Sequence, residues 1–195
     1  MKNLIALIWL VLLAMAPQTQ ASAVIAVTPE SQIVVVGSSA QFDLAVSGLN
    51  DAATGALGSW DITLTYDPTL LSFQSASFGK QLDVLGLGSI QSTETPTANT
   101  VHIYEISLDS VADLSSLQQS AFNLASLTFT ALSSGLTPLN LKLNALSDAD
   151  GIPLTATFIS GEAEITAVPL PSAVWFFVTA IGVVYFGTMR RNAIV

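Results

Sequence analysis

The chain has 195 residues, room for one domain of ordinary size, with five basic and fourteen acidic side chains, a net charge of −9 and no cysteine. The acid excess disfavours nucleic acid and anionic lipid head groups as partners. The missing thiols exclude disulfide staples, thiol catalysis, zinc–thiolate sites, iron–sulfur clusters and cysteine lipidation.

At the N-terminus Lys2 precedes an apolar run over residues 4–15, and the chain then turns polar and small toward Ala21-Ser22-Ala23. A positive start, an apolar stretch of roughly a dozen residues and a small-x-small exit predict a secretory signal peptide over residues 1–23. The run is too short for a typical spanning helix. Cleavage is expected after Ala23, with Ala21 as the second choice.

Residues 24–166 read as strands almost throughout. Residues 33–36 open the series. Phe42, Leu44 and Val46 then alternate with Gln41, Asp43 and Ala45, and Trp60, Ile62, Leu64 and Tyr66 alternate with Asp61, Thr63 and Thr65. Such a period of two marks half-buried antiparallel strands. Further strands are expected at residues 71–78, 101–108, 122–131 and 155–166, and at 139–144, where Leu139, Leu141 and Leu143 alternate with Asn140, Lys142 and Asn144. Glycine, proline, Asn and Asp punctuate them, as at Asp67-Pro68 and at the 148–151 turn. The Thr-rich stretch 91–100, with Pro96 and Asn99, reads as an exposed loop. One short helix is expected over residues 110–119, where Val111, Leu114 and Leu117 recur at helical spacing. Eight or nine strands so arranged predict an all-β chain, a β-sandwich of jelly-roll or immunoglobulin-like type.

The last segment, residues 167–195, is different in kind. Residues 172–189 carry no charge and are followed by Arg190-Arg191, which predicts a transmembrane helix with its C-terminus in the cytoplasm and the domain outside the inner membrane. With both ends set aside, Lys80 and Lys142 stand against all fourteen acidic residues, leaving the exported part at −12.

Two families are suggested by these residues. Val36-Gly37-Ser38 leading into residues 42–49, then residues 57–73 with their Tyr66-Asp67-Pro68 turn, residues 122–131 and the 148–151 turn resemble the cohesin domain in its divergent exported form. The resemblance implies a cohesin-like sandwich and a binding domain. Its ligand would be either a dockerin-type protein or a polysaccharide, since several carbohydrate-binding modules share the architecture. Ala167-Val168-Pro169-Leu170-Pro171, the apolar span and Arg190-Arg191 resemble the Val-Pro-Leu-Pro class of PEP-CTERM sorting tails. That resemblance implies processing by an exosortase near Val168, Pro169, Leu170 and Pro171, with delivery to the cell surface or extracellular matrix. Two prolines flanking one residue hold the backbone extended and open to a protease groove.

The expected activity is non-catalytic binding, of polysaccharide first and of a dockerin-type protein as the alternative. His102, the single histidine, lies within a strand without a partner nucleophile. Asp61, Asp67, Glu105 and Asp109 could supply a carboxylate pair for glycoside chemistry only if the fold brings two of them together. Asp148 and Asp150, with Gly151, begin like a calcium loop but lack its later ligands, so calcium competes there with a plain hairpin turn. The stretch 79–89 is rich in glycine and leucine and could present Leu82, Leu85 and Leu87 as a contact patch, with Tyr104 the best candidate for an exposed ring.

Overall fold

Apolar side chains at every second position decide which face of each strand turns inward. The computed structural model describes residues 22–50 and 54–168. In chain order the strands are β1 (Ala23–Thr28), β2 (Ser31–Val35), β3 (Ser39–Ser47), β4 (Leu57–Thr65), β5 (Leu71–Phe78), β6 (Ser89–Glu94) and β7 (Thr100–Ser107). A short helix α1 (Val111–Leu117) follows, then β8 (Phe122–Ala131), β9 (Gly135–Asp148), β10 (Ala156–Ile159) and β11 (Gly161–Thr166). They build two facing sheets, one ordered β10-β1-β3-β8-β5 and the other β2-β11-β9-β4-β7-β6.

The core lies between them. Ile25, Phe42, Leu44, Leu127 and Phe129 of the five-stranded sheet meet Trp60, Ile62, Leu64, Ile103 and Leu139 of the six-stranded one. Phe129 is the hub, with the rings of Phe42, Tyr66 and Phe73 at 6.3, 5.1 and 5.6 Å, each edge to face. Trp60 packs on Phe78 with centroids 5.9 Å apart.

The expected sandwich is present, with four differences of detail. The strand at 155–166 is two strands, β10 in one sheet and β11 in the other. Gly161 marks the crossing: a Cβ there would lie 2.5 Å from the Val27 side chain. The N-terminal strand crosses in the same way, β1 pairing parallel with β10 and β2 parallel with β11. β1 itself was not expected. Residues 91–94, expected as loop, belong to β6, which pairs with β7 from Ser89↔Ser107 to Glu94↔His102. The expected helix is real but shorter, started by Ser110, whose hydroxyl accepts from Asp113 N at 3.2 Å.

Both crossings run along the long axis of the sandwich, so the chain enters and leaves at opposite ends. Ala23 N donates to Thr155 O at 3.2 Å at one end, and Val36 N donates to Thr166 O at 2.9 Å at the other. Ala23, named above as the residue before the preferred cleavage point, is the first residue of β1 and fully buried. Ala21, the expected leader before it, Pro169, Leu170, Pro171, the expected apolar span and Arg190-Arg191 lie outside the described residues. Val168 is within them and exposed. Among the described residues no helix is long and apolar enough to cross a membrane.

Candidate functional site

The two outer faces differ in chemistry. On the five-stranded sheet, register places Ser39, Thr130 and Ser72 in one row, Gln41, Thr128 and Ser75 in the next, and Asp43, Ser126 and Ser77 in a third. These are short polar side chains, as expected of a face turned to water. The outer face of β9-β4-β7-β6 instead joins a hydrogen-bonded polar cluster to an apolar end.

The polar cluster follows from strand alternation. With Trp60, Ile62 and Leu64 turned inward, β4 presents Asp61 and Thr63 outward, and β7 presents His102, Tyr104 and Ile106. His102 Nε2 lies 2.7 Å from Asp61 Oδ1. The same carboxylate oxygen accepts from Asn144 Nδ2 at 2.8 Å, and that amide also donates to Thr63 Oγ1 at 2.9 Å. Asn144 reaches them because the β4/β9 register slips between Asp61 and Ile62. On the other side Glu94 Oε2 lies 3.8 Å from His102 Nδ1, and the Tyr104 ring stands 5.9 Å from the imidazole. Ser59, Trp60, Asp61, His102, Tyr104, Ile106 and Ala145 line an open hollow of about 350 Å³.

The apolar end partly matches the leucine patch expected from sequence. Leu82 does not belong to it: the side chain is 1% exposed and closes the end of the core. Leu85 and Leu87 are exposed, Leu87 at 72%. Their loop is pinned by carboxylates, since Asp109 Oδ2 accepts from Val84 N at 2.6 Å and Asp83 Oδ1 from Gly88 N at 2.8 Å. Ser107 Oγ donates to Leu82 O at 2.6 Å. Ile90 and Ile106 are direct cross-strand neighbours and both exposed, with exposed Leu108 and Val111 just beyond. Sequence reasoning missed these four. The available signal was the place of Ile106 in the polar half of the β7 alternation.

The fold separates the four carboxylates considered for glycoside chemistry. Asp61 faces outward, whereas Glu105 faces inward opposite Trp60, buried and hydrogen-bonded by Ser89 Oγ at 2.6 Å and Gln91 Nε2 at 2.9 Å. Asp67 lies beyond the Thr65 end of β4, and Asp109 beyond the opposite end of the sheet, past β7. Asp67 accepts from the Thr69 hydroxyl at 2.7 Å and from Thr69 N at 2.8 Å, which holds its carboxyl below its usual 3.8.

Asp148 Oδ1 closes its own turn, accepting from Asp150 N at 3.0 Å and Ile152 N at 2.8 Å. Asp150 is exposed on that turn. Among the described residues no group of three His, Cys, Asp or Glu side chains could hold a metal ion.

No protein-family profile matches the chain, and no curated protein matches its sequence. Solved structures do match its shape. The Clostridium thermocellum OlpC cohesin, solved in complex with the dockerin Doc435, superposes with a TM-score of 0.61 at 14% identity, over 78% of this chain and 99% of that one. The seventh ScaB type I cohesin from Pseudobacteroides cellulosolvens gives 0.60 at 17% identity, over 77% and 96%. A non-cellulosomal cohesin from the archaeon Archaeoglobus fulgidus gives 0.56 at 17% identity, over 75% and 92%. The described domain thus has the cohesin-like β-sandwich fold, at low sequence identity to these structures.

Proposed function

We propose that this chain is a non-catalytic interaction protein whose domain captures a dockerin-type protein partner on the outer face of β9-β4-β7-β6. The observation that carries the reading is the composition of that face: a fixed polar cluster around Asp61 and His102 adjoins exposed Ile106 and its cross-strand neighbour Ile90, with exposed Leu87 and Leu108 in the flanking segments. An apolar patch with a polar border on a rigid sheet suits a protein surface. That the similar OlpC cohesin was solved with a dockerin supports the same choice. Polysaccharide, expected first from the sequence, becomes the second reading. In its favour stand half-exposed Tyr104 and the hydrogen-bonding groups of Asp61 and His102 around one hollow. Against it, Trp60 and Tyr66 are buried, so among the described residues this face offers no strip of aromatic rings.

The deciding experiment measures binding of each dockerin encoded by the producing organism, and of that organism's polysaccharide, to the full chain and to Ile106→Asp and Thr128→Asp variants. A dockerin bound by the native chain and by Thr128→Asp, but at least tenfold weaker by Ile106→Asp, is expected. Retention on polysaccharide with no dockerin bound reverses the order of the two readings.

The two ends serve export and sorting in this proposal. The leader directs secretion, and the tail (Val168, Pro169, Leu170, Pro171, the apolar span, Arg190 and Arg191) holds the domain outside the inner membrane until an exosortase-type protease cuts near the motif. Cleavage after Ala21 is the better choice, because Ala23 is part of β1. Replacing Pro169 and Pro171 by alanine should block the mass change of the released protein; unchanged mass and release overturn the sorting role.

A further inference from the structure

His102 is the chain's single histidine, and it stands at the centre of the proposed docking face between two carboxylates. The groups facing it come from every neighbouring strand. β4 supplies Asp61 at 2.7 Å and β6 supplies Glu94 at 3.8 Å. Its own strand supplies Tyr104, while β9 supplies Asn144, already bonded to Asp61, and Lys142, one strand further out opposite Thr63. All belong to an exposed or half-exposed surface, so a partner reaches them without unfolding.

The two charge states of the imidazole give this surface two different appearances. A neutral ring donates from one nitrogen only, and a donor at Nε2 is spent on Asp61, leaving Glu94 with its full charge. A protonated ring donates from both nitrogens. It then engages both carboxylates and cancels one of their two charges.

We infer that docking on this face is coupled to the proton on His102: the face receives a cationic side chain, lysine or arginine, between Asp61 and Glu94 when His102 is neutral, and loses it when His102 is protonated. This rests on the proposed docking face and names the chemistry of its partner. Charge complementarity fixes the sign. The exported part carries two lysines against fourteen acidic residues, so an anionic partner is repelled whichever state the histidine is in. Proton and partner compete for the same two carboxylates, and by linkage each weakens the other by the same factor. Where the two exclude each other fully, the dissociation constant rises up to about tenfold per pH unit on the acid side of the titration. Histidine side chains as a class change charge between about pH 5 and 8, which sets the pH range for the experiment.

The test uses a fluorescent hexa-arginine peptide as the cationic probe and the full chain in a zwitterionic detergent at low salt, with anisotropy followed from pH 7.5 to 5.5. The native chain should bind at least fivefold more weakly at pH 5.5, with amide shifts at Asp61, Glu94 and Tyr104 marking the contact. His102→Gln should flatten the dependence to under twofold, and Glu94→Gln, on the exposed edge strand, should weaken binding at pH 7.5 and flatten it too. A native profile that is flat, one that survives His102→Gln, or shifts confined to the five-stranded sheet overturns the coupling. A dockerin that docks on this face with pH-independent affinity also overturns the coupling but leaves the proposed function standing. Proton-coupled peptide binding with no dockerin bound does the reverse.

Discussion

Gln118 is the residue whose loss should reveal how the apolar end of the site is held. It caps the C-terminus of α1, and its side chain is buried. The amide behaves like a short strand laid against β4: Oε1 accepts from Leu57 N at 2.6 Å while Nε2 donates to Leu57 O at 2.9 Å and to Gln81 O at 2.9 Å. One side chain therefore ties together the helix, the start of β4 and the loop that carries Leu85 and Leu87. Gln118→Leu keeps the volume and removes all three bonds. Each buried orphan left behind costs about 1–3 kcal/mol, and burial of the leucine returns about 1.5–3 kcal/mol. The three together cost about 3–9 kcal/mol, so the expected net loss is about 1.5–6 kcal/mol. Urea denaturation should show it as a lower midpoint with an unchanged slope, and hydrogen exchange should speed up at Leu57 first. A loss below about 1 kcal/mol, or exchange at Leu57 no faster than in the native chain, would refute the claim that this amide staples the end of the sandwich.

Three further outcomes follow from particular positions. Leu82→Ala removes a buried core side chain and should cost about 2–5 kcal/mol by denaturation, whereas Leu87→Ala should stay within about 0.5 kcal/mol yet weaken partner capture in the same preparation. The Asp67 carboxyl has its folded-state pKa lowered first by the Thr69 hydroxyl and then by Thr69 N. Its stabilising contribution is therefore present above the ordinary 3.8 and lost as pH falls through the lower folded value, and Thr69→Ala should move the carboxyl resonance titration upward. A chain beginning at Val24 should be less stable than one beginning at Ser22 by about 1–2 kcal/mol, because it lacks buried Ala23 and the bond from Ala23 N to Thr155 O; equal midpoints would count against cleavage after Ala21.

The sandwich was legible wherever one face of a strand is large and apolar and the other polar. Trp60, Ile62 and Leu64 show the pattern at full strength, and they form the centre of the six-stranded sheet. β1 was hidden because its small and apolar residues continue the exit of the expected leader without an alternation in polarity, and β6 because Ser89–Glu94 holds a single large apolar residue, Ile90. The site was legible only in part. Leu82 and Leu87 are the same residue type five positions apart, and only the path of the loop buries one and exposes the other. His102 and Asp61 are 41 residues apart, and Gln118 and Leu57 are 61 apart. Such pairs arise from strand register, which local composition does not encode.

The opposite exits of the chain also decide how the domain bears load. A pull between Ser22 and Thr166 runs parallel to the strands. It acts on the two parallel pairings of the terminal strands, with four register pairs between β1 and β10 and five between β2 and β11. In that direction the rungs are strained together, as in a lap joint, whereas a pull across the sheet would open them one after another like a zip. A load applied between the Leu87 end and the Thr166 end would act on the sandwich along this same axis.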